Sequence, residues 1–308
     1  MLAGDVTVPG SVANLGGGFD TIAVAVQLYL RLRIVEVRDD GGARLTVVGG
    51  TPPVRGRNAV ERAYEAIVRW TGRRAPSVSV DVVSEIPMAA GLGSSAAAAV
   101  AGLRVFERVT GPVPEGVLLA VAASLEGHAD NAAAALCGGL TSVVEAEGGE
   151  PRALRWQWPD DLRVIVVTPQ TGLSTSKARA ALPDTISRKD AVFNLQRVLS
   201  LVHALQSGEY DRLRESVQDR WHQPARAALV PQLGAALALE DPEILGAFLS
   251  GAGPSVAFLA KRDFARLEHL LKSTYERAEC PATVRTFGVH PSSAMQPDAL
   301  ASAHGRAL

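Results

Sequence analysis

No lysine occurs before Lys177, so whatever the first half of the chain binds, it binds without an ammonium group. Cysteine is scarce too. Cys137 and Cys280 are too few for a disulfide framework, and with no signal peptide ahead of them they read as thiols in a reducing compartment. Neither has metal-like neighbours, which argues against a structural zinc. No apolar run reaches the roughly 18 to 20 residues of a membrane span. The alanine-rich stretch from Ala96 to Leu103 is too short, and Arg104, Glu107 and Arg108 follow it directly. An excess of either charge is also missing, with 31 basic against 32 acidic residues, which disfavours nucleic acid or an anionic membrane as the main partner. These absences leave a soluble, cytoplasmic protein. At 308 residues and 47% hydrophobic, it can bury a large core and fill two domains.

The first half alternates strand and helix signals. Val24, Val26, Leu28, Leu30, Leu32 and Ile34 occupy every second position, the pattern of a long strand with one face buried. Residues 44–48 and 77–83 read as further strands. Residues 58–70 carry Val60, Tyr64, Ile67 and Val68 at helical spacing, with Asn58 as a plausible N-cap. After a turn at 87–95, small residues through Val109 make a helix able to pack very close to a sheet. Periodicity breaks down between Glu145 and Asp161, the best candidate for a domain boundary. The resulting division is a first domain over 1–155, a second over 156–290, and a flexible tail over 291–308. In the second domain, a buried strand at 163–168 precedes helices at 189–207 and 209–221. Strands at 245–249 and 255–259 flank a glycine turn, and a helix at 264–275 and a strand at 282–286 complete an α+β half.

The most informative segment is Pro87-Met88-Ala89-Ala90-Gly91-Leu92-Gly93-Ser94-Ser95-Ala96. A strand leads in, two glycines mark the turn, and a helix leaves from two serines. Such a junction aims unpaired N–H groups and the positive end of a helix dipole at one point, where an anion is the natural occupant. Gly91 and Gly93 allow close backbone approach and positive φ, while Ser94 and Ser95 offer hydroxyls to a phosphate or its magnesium. A tight turn with helix-capping serines is the plainer alternative. No Gly-Lys-Ser/Thr follows, so this is no Walker A loop. A nucleotide here would rely on amides, the dipole and a metal ion to balance its charge.

Two further glycine segments accompany it. Pro9-Gly10-Ser11-Val12-Ala13-Asn14-Leu15-Gly16-Gly17-Gly18-Phe19-Asp20 leaves a strand, and Ser250-Gly251-Ala252-Gly253-Pro254-Ser255 turns between two apolar strands. In this order the three resemble the three motifs of the GHMP kinases, the galactokinase, homoserine kinase, mevalonate kinase and phosphomevalonate kinase superfamily, over residues from about 5 to 260. Ala13-Asn14-Leu15-Gly16 with Gly18-Phe19-Asp20, and Glu126-Gly127-His128-Ala129-Asp130-Asn131, resemble the homoserine kinase branch. Gly17 and Ala129 stand where that branch commonly has proline, a change that should loosen both loops without removing a functional side chain. The resemblance implies an α+β, two-domain fold, its N-terminal half like the second domain of ribosomal protein S5 and its C-terminal half ferredoxin-like. It also implies ATP and Mg2+ as cofactors, L-homoserine as the small-molecule substrate, a homodimer, and a step toward threonine.

Roles carry over by position. Arg179 and Arg226 match arginines that hold the substrate carboxylate, a task suited to a planar fork. Asp130 matches the partner of the substrate ammonium, with His128 and Thr175 beside it. Asn14, Asp20 and Asn131 are the candidates for orienting the hydroxyl, and Asp20 is the one acid to test as proton acceptor. Glu126 with Ser95 resembles the magnesium site. Pro87, Ala90, Gly91, Leu92, Gly93, Ser94, Ser95 and Ala96, with Gly251, Ala252 and Gly253, are expected around the nucleotide. Asn58 resembles an adenine contact, though an N-cap explains it equally well. Another small hydroxy or amino acid, or a mevalonate-like compound, is the alternative substrate. A catalytically silent ligand-binding relative is the alternative class, and it should have lost Glu126, Ser95 or Asp130.

Overall fold

The computed structural model describes residues 4–53 and 56–293 and contains two sheets. In the first, β1 (Val6–Ala13) lies antiparallel to the long β2 (Ile22–Arg38). From Gln27 to Ile34 the expected alternation holds, with even positions buried, whereas Ile22 to Val26 are buried on both faces. The reason is a second cover. Ala134 packs onto Ala13, Ala23 and Ala25, small residues that let a helix approach the strands closely.

β3 (Leu45–Thr51) and β4 (Ser77–Ser84) pair in parallel around the crossover helix α1 (Ala59–Thr71). Asn58 caps that helix as expected, its side chain accepting from the Glu61 amide at 3.1 Å. Helix α2 (Ser94–Thr110) packs on α1 so tightly that a methyl group at Gly102 would collide with the Val60 carbonyl. Two helices not anticipated from the sequence, α3 (Glu115–Glu126) and α4 (Asp130–Cys137), complete the layer. Burial in that layer pushes the Cys137 thiol up to about 12 and leaves it unreactive.

The segment expected to lose regular structure does not lose it at once. β5 (Leu140–Glu145) and β6 (Pro151–Trp156) form an antiparallel hairpin, and the strand order of this sheet is β3-β4-β2-β5-β6. Irregular backbone is confined to the hairpin turn and to 157–162.

The second sheet has the order β10-β7-β9-β8. Its strands are β7 (Arg163–Pro169), β8 (Gly246–Leu249), β9 (Val256–Ala260) and β10 (Ala282–Phe287), all antiparallel to their neighbours. The order is that of a ferredoxin-like sheet. Val164 and Val166 face the core shared with the first sheet, while Ile165 and Val167 face a separate cluster. Burial on both sides explains the unbroken apolar run at 164–167. Helices α5 (Thr175–Ala180), α6 (Arg188–Ser207), α7 (Leu213–Ser216), α8 (His222–Arg226) and α9 (Leu233–Leu237) fall between β7 and β8, and α10 (Phe264–Arg277) precedes β10.

One expected helix is broken. Residues 209–221 hold a single 3-10 turn at Tyr210–Arg212 and the one-turn α7, not a continuous helix. Asp219 ends it, because its carboxylate accepts from the Trp221 and Gln223 amides and so takes the backbone out of helical pairing. At the other end, residues 288–290 return to the first sheet, where the Gln27 amide bonds to the Gly288 carbonyl and the His290 amide to that of Ala25. The expected flexible tail does not begin at Pro291, since the Ser293 amide donates to the Cys137 carbonyl at 2.7 Å. Residues 294–308 of that tail lie outside the described residues. Among the described residues, no helix is long and apolar enough to cross a membrane.

Candidate active site

The three glycine segments and both arginines meet in one cleft. Its floor is the loop from Ala89 to Ala96. The loop carbonyls are tied to the protein: those of Ala89, Ala90 and Leu92 accept from the Leu173, Ser255 and Ser11 amides, and that of Gly91 from Ser250 Oγ at 2.7 Å. These four carbonyls are thus taken up by the protein, while their residues line the cleft. Among the described residues, no protein group accepts from any backbone N–H between Met88 and Ala96. Gly93 starts α2 in the left-handed region at φ 69°, with no side-chain cap on the helix. Capping serines are therefore not what this junction is built around, and an anion fits it.

Glycine is required at the turn for a second reason. At Gly91 (φ 75°) a methyl group would collide with the Ser250 carbonyl oxygen and lie 2.9 Å from the Gly253 amide nitrogen. Gly251 and Ala252 line the cleft, whereas Gly253 supports the loop from behind. Pro87 is not in the cleft. It lines a crevice on the reverse side, with Leu92, Glu85 and Arg285.

At the start of α2, Ser95 Oγ donates to Glu126 Oε1 at 2.7 Å, which brings together the hydroxyl and the carboxylate expected at the metal. Next to this pair opens an apolar cavity lined by Leu30, Pro52, Val60, Ile86, Met88 and Asn58, among others. It joins the cleft through Ala89, Ser94 and Ser95. A flat apolar base suits such walls. Asn58 thus caps α1 and lines this cavity at once.

The opposite end of the cleft carries charge. Arg179 binds Asp20 through one terminal nitrogen, at 2.8 and 2.9 Å from the two carboxylate oxygens. Arg226 is only 2% exposed; it donates from Nε to the Ala178 carbonyl and from NH1 to the Gly251 carbonyl, both at 3.1 Å. Burial first, and then the Arg179 charge, bring its pKa down to about 10, so it stays cationic at neutral pH. Both guanidinium carbons sit over the Phe19 ring, 5.5 Å from its centroid for Arg179 and 5.3 Å for Arg226. Phe19 is a site residue that sequence reasoning passed over, although its place next to Asp20 in a glycine loop was visible.

His128 Nδ1 and Asp130 Oδ1 are 2.5 Å apart. Burial pulls the His128 pKa down, but the Asp130 hydrogen bond and the charges of Asp130 and Asp20 outweigh it and hold it above the ordinary value. Ligand atoms of Asp20, His128 and Asp130 all lie within 4.8 Å of one another, and Thr175 lines the same wall. Asn131 accepts from Ser11 Oγ at 2.7 Å and keeps its amide nitrogen free of protein partners among the described residues. Asn14, expected to face the hydroxyl, lines the cleft, and its side chain is also engaged by the protein. Its Nδ2 donates to the Gly251 carbonyl at 3.0 Å and its Oδ1 accepts from the Asp20 amide at 3.1 Å, which clamps the first glycine loop to the third.

Beneath this loop, His222 is fully buried and neutral, since burial lowers its pKa. The unfolded chain takes up a proton near pH 6.5 and the folded chain resists it, so stability from neutral His222 is whole above that pH and falls away below it. His128 acts in the opposite direction. We expect the urea midpoint gap between His222→Gln and the unsubstituted chain to narrow from pH 7.5 to pH 5.5; an unchanged gap would contradict a neutral buried imidazole.

A model for the GHMP kinases N terminal domain matches residues 58–139, and one for the GHMP kinases C terminal matches residues 201–276. A homoserine kinase of Deinococcus radiodurans is 41% identical over 288 residues, covering 92% of this chain and 94% of its own. The chain belongs to the GHMP kinases. Within them it falls in the homoserine kinase branch, where a homoserine kinase of Solibacter usitatus is 37% identical over 87% of this chain and 88% of its own. A crystal structure of homoserine kinase from Cytophaga hutchinsonii superposes with a TM-score of 0.80 at 26% identity, covering 94% of this chain and 95% of that one. The two-domain α+β GHMP kinase fold expected from the motifs is the fold found.

Proposed function

We propose that this GHMP kinase is a homoserine kinase: it transfers the γ-phosphoryl group of ATP to the hydroxyl of L-homoserine, in the route to threonine. The observation that carries this reading is the pairing of unengaged loop amides at one end of the cleft with Arg179 and Arg226 at the other. The amides of Gly91 to Ala96 receive the phosphates. The nucleoside lies in the apolar cavity beside Asn58, and Gly251 and Ala252 close the loop from the far side.

Ser95 and Glu126 are the groups that would hold Mg2+, and their mutual hydrogen bond shows that hydroxyl and carboxylate already converge on one point. The ion would supply charge neutralisation at the phosphates, since no lysine or arginine from the first half of the chain lines the cleft.

For the acceptor, Arg179 and Arg226 hold the carboxylate, while Asp130 with His128 and Thr175 receives the ammonium. Asn131 donates from its free amide nitrogen toward the hydroxyl oxygen. That oxygen forms its bond to phosphorus as the bond to the ADP oxygen breaks, and the hydroxyl proton is released to a phosphoryl oxygen of the product or to solvent, with Asp20 the acid to test as its acceptor. Asp20 has both oxygens on Arg179, so its main task is to orient. Catalysis then rests on positioning and on electrostatic stabilisation of the transferring group. Asp20→Asn is expected to cost about tenfold in kcat, the low end for a displaced positioning contact; a loss of many orders of magnitude would make Asp20 the base instead.

The enzyme works in the cytoplasm as a homodimer on this reading. Incubation with ATP, Mg2+ and a panel of hydroxy and amino acids tests it, with mass spectrometry of the products. O-phospho-L-homoserine is expected as the dominant product, and faster turnover of another acceptor would overturn the substrate assignment.

A further inference from the structure

His222 is the side chain that touches both the first glycine loop and the second substrate arginine. Its Nε2 lies 2.7 Å from the Gly16 carbonyl oxygen, and its Nδ1 lies 3.2 Å from Arg226 NH1. The partners fix the tautomer. A carbonyl can only accept and a guanidinium can only donate, so Nε2 carries the proton and Nδ1 offers a lone pair. The ring is fully buried, with Phe19 at 5.4 Å between centroids and tilted by 31°.

Asp219 sets the ring from behind. Its side chain is fully buried and accepts from Asn194 Nδ2 at 2.6 Å, the Trp221 amide at 3.0 Å and the Gln223 amide at 2.7 Å, with Oδ2 lying 3.6 Å from His222 Nε2. Gln223 passes the constraint onward, because its Oε1 accepts from the Leu249 amide beside the Ser250–Gly251 turn. Gly16 itself packs closely on the Val217 backbone, where a methyl group would strike the carbonyl. The charged groups around the imidazole are Asp219, Asp20 and Arg226, with Arg179 across the Phe19 ring.

We propose that His222, held by Asp219, is a positioning residue for acceptor specificity: it aims the Arg226 guanidinium at the homoserine carboxylate and registers the Asn14–Asp20 loop against it. Without the Nδ1 lone pair, Arg226 keeps its carbonyl partners Ala178 and Gly251 but loses the side chain that sets the rotation of its fork. Without the Nε2 proton, the Gly16 carbonyl is buried unpaired and the loop carrying Asp20 loses its anchor. Neither contact faces the nucleotide, so the effect falls on one substrate of the two.

The proposal rests on the homoserine reading, and the two fail separately. Absence of homoserine turnover by the unsubstituted enzyme overturns that reading, whereas the proposal is judged on variants of an enzyme that turns homoserine over. His222→Phe keeps the ring and removes both hydrogen bonds. It is expected to raise the KM for homoserine about tenfold or more, the loss typical of an outer partner that orients a ligand group, while the KM for ATP moves by less than about twofold. His222→Gln, which can still donate to Gly16, is expected to recover most of that loss. A purely structural role would lower thermal stability and move both KM values or neither, and either of those results overturns the proposal. Should His222→Phe not fold, nitrogen NMR of the intact enzyme decides. One neutral imidazole with its proton on Nε2, shifted by homoserine and indifferent to nucleotide, supports the proposal; a ring unmoved by homoserine contradicts it.

Discussion

Gly91→Ala is expected to lower kcat/KM for ATP by about a hundredfold or more, while circular dichroism shows the fold retained. Two costs combine. Alanine at φ 75° pays about 1 to 2 kcal/mol for the left-handed conformation, and its methyl group meets the Ser250 carbonyl. That oxygen belongs to the turn before β9, where the Ser250 amide bonds to the Ser255 carbonyl and the Gly253 amide to the Ser250 carbonyl. It cannot yield without unpairing the hairpin. The loop must move instead, and a shift of about 1 Å in a positioning element is enough to cost some hundredfold in rate. The proposed carboxylate arginine Arg226 reaches this region through the Gly251 carbonyl of the turn that stays in place, so homoserine binding measured by calorimetry should change less than ATP binding. Equal loss of both ligands would mean that the loop serves the whole fold and not the phosphates.

The second large effect is expected at Glu126→Gln. The amide keeps an oxygen for the Ser95 hydroxyl and has nearly the same volume, so thermal stability should hold within a few degrees. What disappears is the carboxylate charge proposed to hold Mg2+ beside Ser95. Loss of a preorganised electrostatic contact to a transferring phosphoryl group typically costs about 10² to 10³ in kcat, and that is the fall expected. Half-saturation by Mg2+ should move to higher concentration in step. A kcat within threefold of the unsubstituted enzyme would leave Glu126 as a solvated helix end and nothing more.

Much of the structure could be read from local signals. The period-two run in β2, the Asn58 cap and the glycine pair of the phosphate loop each express one rule of backbone geometry. So do the two strands around the Gly251 turn. What escaped depends on contacts distant in sequence. Residues 209–221 have helical spacing, but Asp219 is claimed by Asn194 and two amides, and no local pattern reveals that. Asn14 lines the cleft as its motif suggested, but no local signal reveals that its carboxamide also bridges to Gly251, 237 residues away. Phe19 was in plain view as a letter, but its service to two guanidinium groups needs both domains assembled. His222 belongs to the same class.

On the proposed reading, the cleft would bind a polyanion with few cationic side chains in its lining. Arg179 and Arg226 stand at the acceptor end, one paired with Asp20 and the other sunk among carbonyls. Backbone dipoles serve at the phosphate end, and they cost no charge burial when ATP is away.

The most direct trial is a crystal structure with a non-hydrolysable ATP analogue, Mg2+ and homoserine. The β- and γ-phosphate oxygens should lie within hydrogen-bond distance of amides between Gly91 and Ala96, with no side-chain ammonium near them. Triphosphate bound anywhere else, or those amides turned onto protein acceptors in the complex, would contradict the account.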